Sequence, residues 1–277
     1  MYFNNIQELI YYDKFNDISS IKVYLSYNFT DNDILNNIDI FKKIQQLYFS
    51  ETLNLVHKPQ ITRIPKELIN LKILNCSNTI IKNIPKELIN LIILDCSWTK
   101  ITEIPKELTN LKIVYCGYIN ITEIPISFVN LQRLDCTKSR ITEIPKELIN
   151  LHELYCTQTQ ITEIPKELVK LQQVYCCNTS IKKIPKELIK LNTLYCSKTL
   201  INEIPKELSK LQFLNCCETL VKQIPVTLEF LIYIESDIIT LEEHKANIEK
   251  YKKEIKDIIK NNNKLNNDIN NLLCSYI

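Results

Sequence analysis

Nine prolines recur at intervals of twenty residues: Pro65, Pro85, Pro105, Pro125, Pro145, Pro165, Pro185, Pro205 and Pro225. Seven of them sit in the string Ile-Pro-Lys-Glu-Leu; the departures are Ile124-Pro125-Ile126-Ser127-Phe128 and Ile224-Pro225-Val226-Thr227-Leu228. A fixed internal period of this length is the signature of a solenoid, in which each unit buries its apolar face only against its neighbours. With Leu71 as position 1, the unit reads L-x-x-L-x-C-x-x-T-x-I-x-x-I-P-K-E-L-x-x and restarts at Leu91, Leu111, Leu131, Leu151, Leu171, Leu191 and Leu211. Apolar residues at positions 1, 4 and 6, with polar residues between, carry the period-two signature of a half-buried strand of about five residues. The rest of the unit is too short for a full helix. Proline's fixed φ and missing N–H suit a polyproline or 3-10 return there.

The segments Leu71-x-x-Leu74-x-Cys76-x-x-Thr79-x-Ile81 and Leu151-x-x-Leu154-x-Cys156-x-x-Thr159-x-Ile161 resemble the leucine-rich repeat consensus, and the Ile-Pro-x-x-Leu continuation resembles its short bacterial-effector class. The match covers residues 71–230 without a gap; Cys replaces the usual Leu at position 6 and Thr the usual Asn at position 9. The resemblance implies a horseshoe with a concave parallel sheet and short extended or 3-10 segments outside. It also implies a protein-recognition scaffold that binds through the concave face.

The repeat frays at both ends. Ile44-x-x-Leu47-x-Phe49-x-x-Thr52 matches the strand part, and Ile18-x-x-Ile21-x-Val23-x-x-Ser26 matches it more weakly. Leu231-x-x-Ile234 opens a degenerate last unit with Ser236 in place of Cys. The expected organisation is an N-terminal cap or irregular repeat at 1–43, the solenoid at 44–240 and an amphipathic helix at 241–277. Ile6, Leu9, Ile10 and Phe15 suggest a short capping helix within residues 1–17. Thr240-Leu241-Glu242-Glu243 reads as a capping box that opens the last helix. Leu241, His244, Ile248, Tyr251, Ile255, Ile258, Asn262, Leu265, Ile269, Leu272 and Tyr276 fill heptad a and d positions, so that helix either caps the last coil or forms a homo-oligomeric coiled coil.

Composition narrows the chemistry. Among 277 residues there is one glycine, Gly117, which excludes the glycine-rich loops of nucleotide sites. A formal net charge of +2 gives no support to nucleic-acid or polybasic membrane binding. No apolar run approaches the roughly 20 residues that span a bilayer. The N-terminus lacks the basic start and apolar stretch of a signal peptide. The abundance of Ile, Asn, Lys and Tyr, with scarce Gly, Ala and Arg, points to an AT-rich genome such as that of a large DNA virus, an intracellular bacterium or a protist.

Eight of the eleven cysteines occupy position 6: Cys76, Cys96, Cys116, Cys136, Cys156, Cys176, Cys196 and Cys216. That position shares the pleat side of the core leucines, so they read as a ladder of small buried hydrophobes. Paired C-x₂-C motifs are missing, so neither metal nor cofactor is expected. The odd cysteine count favours a reducing cytoplasm, the host's if the source is a virus or an intracellular bacterium. Threonine at position 9 offers hydroxyls to backbone groups stranded at the turn, a task Ile119 cannot perform, which suggests local irregularity at 111–130. His57, His152 and His244 stand in no triad relationship, so no enzyme is expected.

Binding falls to the outward residues of the strands. Position 3 offers the column Ile73, Ile93, Ile113 and Arg133, and later Phe213; position 5 offers Tyr115, Asp135, Tyr155, Tyr175 and Tyr195; position 8 adds Trp98 and Tyr118. Tyr, Trp and Arg are the residue types enriched at interface hot spots. These twelve residues are the expected contact set for a protein partner. Alternative roles are a ubiquitin-ligase adaptor or effector targeting arm, and a structural unit assembling through 241–277. The convex Lys-Glu pairs read as solvated charge.

Overall fold

In the computed structural model of the chain, residues 1–49 and 61–261 are described. They form a solenoid whose strands make one parallel twelve-stranded sheet in chain order. The first three strands are β1 (Tyr2–Phe3), β2 (Lys22–Leu25) and β3 (Gln46–Phe49). The regular coils supply β4 (Ile73–Asn75), β5 (Ile93–Asp95), β6 (Ile113–Tyr115), β7 (Arg133–Asp135), β8 (Glu153–Tyr155), β9 (Gln173–Tyr175), β10 (Thr193–Tyr195) and β11 (Phe213–Asn215), and the degenerate unit supplies β12 (Tyr233–Glu235). Each regular strand spans positions 3 to 5, and its partners are the same positions of the adjacent coils. The ladder extends past both strand ends: Ile92 N donates to Lys72 O at 2.8 Å, and Cys96 N to Tyr115 O at 2.8 Å.

One core runs the length of the solenoid. In the first regular coil Leu71, Leu74, Cys76, Ile81, Ile84 and Leu88 are all buried, and the pattern repeats in each regular coil that follows. The expected return is extended, as the proline requires, but it closes through isolated turns and not a 3-10 helix. Leu88 N donates to Pro85 O at 3.3 Å and Leu91 N to Leu88 O at 3.1 Å. A second stitch joins the first half of the returns. The position-20 amides of Asn90, Asn110, Asn130 and Asn150 donate to the position-19 carbonyls of the preceding coils, at 2.8 to 3.1 Å.

The N-terminal segment extends the sheet and does not lie over its concave face. Helix α1 (Ile6–Phe15) is capped by Asn5, whose side chain accepts from Gln7 N and Glu8 N. It buries Leu9, whereas Phe15 is exposed. The weak repeat read at Ile18, Ile21 and Val23 is two residues out of register. Val23 pairs with Leu47 and therefore takes position 4, with Leu25 opposite Phe49 at position 6. Two short helices that the repeat pattern did not foretell, α2 (Asp31–Asn36) and α3 (Ile38–Phe41), fill the next return and bury Ile34 and Phe41.

At the other end α4 (Leu241–Asn261) opens with the expected capping box: Thr240 N donates to Glu243 Oε2 at 2.7 Å, and Glu243 N to Thr240 Oγ1 at 3.2 Å. Its inner face meets the last coil. His244 is 1% exposed, Ile248 is 5% exposed, and Leu241 packs against the core. His244 Nε2 lies 3.0 Å from Leu228 O, and Lys252 Nζ lies 2.8 Å from a carboxylate oxygen of Glu229. The start of the apolar stripe is thus spent on covering the solenoid end. The heptad side chains from Ile258 onward, with Cys274, lie outside the description, as does His57. No described helix is long and apolar enough to cross a membrane.

Candidate partner-binding face

The turn that follows each strand sets the edge of the concave face. Position 8 is left-handed in every regular coil: Asn78, Trp98, Tyr118, Lys138, Gln158, Asn178, Lys198 and Glu218 have φ between 54° and 60°. The conformation is imposed by the ladder: in seven of these coils the position-8 N–H reaches the position-7 carbonyl of the next coil, as Trp98 N does to Gly117 O at 3.1 Å, and Glu218 N donates instead to the side-chain carboxylate of Asp237. For a residue with a side chain it costs roughly 1–2 kcal/mol, least for asparagine. The sequence carries no glycine at this position, so the constraint is invisible there.

Beneath the turn, the position-6 thiols are all buried and free, with two of them bonding across coils. Cys96 Sγ is 3.5 Å from Tyr115 O and Cys136 Sγ is 3.4 Å from Tyr155 O. Burial pushes all eight thiols up, Cys216 to about 12. Cys177 and Cys217, at position 7, are half-buried. No group of three or more His, Cys, Asp or Glu side chains among the described residues is placed to hold a metal ion.

The position-9 hydroxyls donate within their own coils. Thr79, Thr99, Thr159, Thr179, Thr199 and Thr219 each reach the position-6 carbonyl at 2.7 Å. Ser139 does not follow. Its N–H takes the Cys136 carbonyl at 3.1 Å, and its hydroxyl is buried with no oxygen or nitrogen to bond. Ile119 is buried as a plain hydrophobe, and the coil at 111–130 keeps the regular strand and turn, contrary to the expected irregularity.

On the concave surface the expected columns form in register. Ile73, Ile93, Ile113 and Arg133 line up at position 3; Asp95, Tyr115, Asp135, Tyr155, Tyr175 and Tyr195 line up at position 5. These side chains are half-buried by their lateral neighbours; Phe213 is 36% exposed. The rings stack along the column, with centroids 4.6 Å apart for Tyr155–Tyr175 and 4.9 Å for Tyr175–Tyr195. Arg133 lies between two rings, 5.3 Å from Tyr115 and 4.9 Å from Tyr155, and pairs with Glu153 at 3.1 Å. At the edge Trp98 and Tyr118 stack at 3.7 Å, and the Lys138 ammonium lies 4.8 Å over Tyr118. Trp98 is 57% exposed.

Two features escaped the sequence reading. The tyrosine column continues into the irregular coils, where Tyr24 stacks on Tyr2 and on Tyr48; the alternation around Phe49 already placed Tyr48 at position 5. A second exposed column lies at position 19, where Ile69, Ile89, Val129, Ile149, Val169 and Ile189 are about half exposed. The convex side carries a shallow groove along the Ile-Pro-Lys-Glu rows, from Ile84 to Pro185. Its lysines and glutamates are not joined by ion pairs within 4 Å among the described residues, so the neutralisation expected there is by proximity alone.

No family model and no curated protein matches the sequence. Solved structures do match its shape. The functional domain of InlJ from Listeria monocytogenes, described as including a cysteine ladder, is 21% identical with a TM-score of 0.65, over 81% of this chain and 50% of that one. An internalin, InlF, from the same species is 20% identical with a TM-score of 0.64, over 82% and 70%. The plant peptide hormone receptor RGFR1 in complex with RGF2 is 23% identical with a TM-score of 0.59, over 80% and 40%. The chain thus spans half or less of the InlJ and RGFR1 chains. Parallel strands in chain order, twenty-residue coils and these neighbours together identify the fold as a leucine-rich repeat solenoid.

Proposed function

We propose that this chain is a non-catalytic recognition scaffold that holds a protein partner against its concave face. The observation that carries the reading is the aromatic pair Trp98 and Tyr118. Both bulky rings sit at left-handed positions where the other coils place polar side chains, and Trp98 is mostly exposed. The ladder imposes that conformation on the regular coils, so the fold does not call for the bulky exposed rings themselves. The pair borders the column Ile73, Ile93 and Ile113 and the Tyr115–Arg133 stack, and rungs about 4.8 Å apart merge these side chains into one patch. The tyrosine ladder Tyr155, Tyr175 and Tyr195, with Asp135 and Phe213, extends it toward the C-terminal coils. RGFR1, a receptor of the same fold, is bound to RGF2, and partner binding of that general kind is what we carry to this chain. A role in the cytoplasm fits the ladder of free thiols. Self-assembly through the last helix is less favoured, because Leu241, His244 and Ile248 already face the last coil.

The test compares capture of partners from a lysate by the parent and its variants. Trp98→Ala and Tyr115→Ala should each weaken binding by roughly 1–3 kcal/mol, the hot-spot range, and leave the melting temperature nearly unchanged. Lys146→Glu on the convex side and Ile149→Asp on the position-19 column should leave binding intact. Binding that survives both aromatic substitutions and is lost with Lys146→Glu or Ile149→Asp overturns the concave assignment.

A further inference from the structure

We propose that the centre of the concave face, Asp95–Tyr115–Asp135, receives an arginine side chain from a partner segment whose apolar residues lie on the Ile73–Ile93–Ile113 column. The inference rests on the reading of that face as a binding surface and adds the chemistry of its occupant. The three residues are register neighbours on β5, β6 and β7, so two carboxylates flank one ring. At about 4.8 Å per rung, their backbones stand roughly 10 Å apart, and a cation over Tyr115 lies midway.

The carboxylates have local work that needs no charge. Asp95 accepts from Ser97 N at 3.1 Å and from Asn75 Nδ2 at 3.1 Å; Asp135 accepts from Thr137 N at 3.0 Å. Asn75 and Asn215 close the same turn with a neutral amide, accepting from Ser77 N at 3.0 Å and Cys217 N at 3.3 Å. Asparagine would therefore serve the fold at positions 95 and 135, in a chain where asparagine is abundant. Aspartate there carries a cost: burial pushes the Asp95 carboxyl up, and the charge of Asp135 adds to the push. Among the described residues no cation lies within 4 Å of either carboxylate, because Arg133 turns to Glu153 at 3.1 Å and Lys138 sits over Tyr118. Asp95, Asp135 and Glu153 outnumber Arg133 on this half-buried face, and Arg133 is already paired with Glu153, so the face complements a cationic partner and repels an anionic one.

Arg133 displays the binding mode on the same surface. Its guanidinium spans the Tyr115 and Tyr155 rings while bonding the carboxylate of Glu153. A planar guanidinium both stacks on an aromatic face and bonds carboxylates in a fork, which an ammonium does not. Asp95, Tyr115 and Asp135 offer the same pairing of ring and carboxylate, together with a neighbouring aliphatic column.

Trp98 is the only tryptophan in the chain and sits on the β5 coil, so its fluorescence reports on this face. The parent protein is titrated at low ionic strength with two blocked peptides of equal length, one of alternating leucine and arginine and one of alternating leucine and glutamate. The expected result is saturable binding of the Leu/Arg peptide, weakened at least tenfold in the double variant Asp95→Asn, Asp135→Asn and nearly retained in Asp95→Glu. Thermal melts check the fold of each variant. Equal binding of the Leu/Arg peptide by the double Asn variant overturns the proposal, as does binding of neither peptide. Tighter binding of the Leu/Glu peptide overturns it too, but leaves the concave face standing as a binding surface. Failure of that broader reading appears separately, in partner capture by the Trp98→Ala and Tyr115→Ala variants.

Discussion

Ser139→Thr should stabilise the protein, a direction that few core substitutions take. In six other coils the position-9 threonine hydroxyl reaches the position-6 carbonyl at 2.7 Å; in this coil the Ser139 hydroxyl is buried without an oxygen or nitrogen partner. Serine lacks the branched methyl that restricts χ1. Threonine at 139 has the fit of its neighbours: the added methyl enters a site that its counterparts already fill, and the hydroxyl is steered to Cys136 O. A satisfied hydrogen bond contributes about 0.5–1.5 kcal/mol, and burial of one methyl about 0.8 kcal/mol. Allowing for side-chain ordering, the net gain is about 1–2 kcal/mol, or a few degrees in melting temperature for a chain of this size. Urea unfolding followed by circular dichroism reads it, with two controls. Ser139→Ala, which removes a hydroxyl that meets only the weakly bonding Cys136 thiol, should be near neutral. Thr159→Ala, which strips a hydroxyl bonded to Cys156 O, should cost about 1–3 kcal/mol. If Ser139→Thr is neutral or destabilising while Thr159→Ala behaves as expected, the hydroxyl ladder is not what holds the turn.

The buried thiols make the fold alkali-sensitive. Their folded pKa values lie above the unfolded value of about 8.5, so their contribution is intact below that pH and is lost as pH rises through the folded values, Cys216 reaching about 12. One pH unit above 8.5 the loss is about 1.4 kcal/mol per thiol, and several thiols together exhaust a typical stability. A pH series of urea midpoints should fall steeply from pH 8.5 to 10 and less steeply in Cys96→Ala, Cys136→Ala; an identical fall in that variant refutes the account. In the native state at neutral pH, Cys177 and Cys217 should react with a maleimide well before the position-6 thiols, and uniform rates would contradict the ladder's burial. Removal of residues 241–277 should lower the melting temperature or cause aggregation, since His244 and Ile248 cover the last coil; an unchanged monomer with an unchanged melt would show that the cap is dispensable.

The regular coils were legible because proline, leucine and cysteine recur in one phase, and nothing in the fold competes with that phase. The concave columns followed from the pleat. Three things did not show. The left-handed position 8 is dictated by a bond to the next coil, such as Asn78 N to Ser97 O at 2.9 Å, and not by its own residue, which ranges from Asn78 to Trp98 and Glu218. The N-terminal strand slipped by two because Ile21, Val23 and Leu25 alternate in either register; its pairing with Leu47 and Phe49 settles the choice. The asparagine stitch at position 20 hides in a chain where asparagine is common, and only its partners, such as Ile69 O for Asn90, distinguish it.

The inter-coil ladder also bears on how the gene can change. Its bonds join a residue to one 19 to 21 positions away, as in Cys76 N to Asp95 O, Ile92 N to Lys72 O and Asn90 to Ile69 O. A block of twenty codons is therefore a self-contained cassette. Its loss or duplication by unequal recombination between near-identical copies leaves both junctions bonded as before. Other lengths are accommodated only in the returns, as between β2 and β3, whose partners lie 24 residues apart, and between β3 and β4, where they lie 27 apart. The two capped ends stay fixed while the binding face between them lengthens or shortens by one rung at a time, which changes its reach without redesigning a single contact.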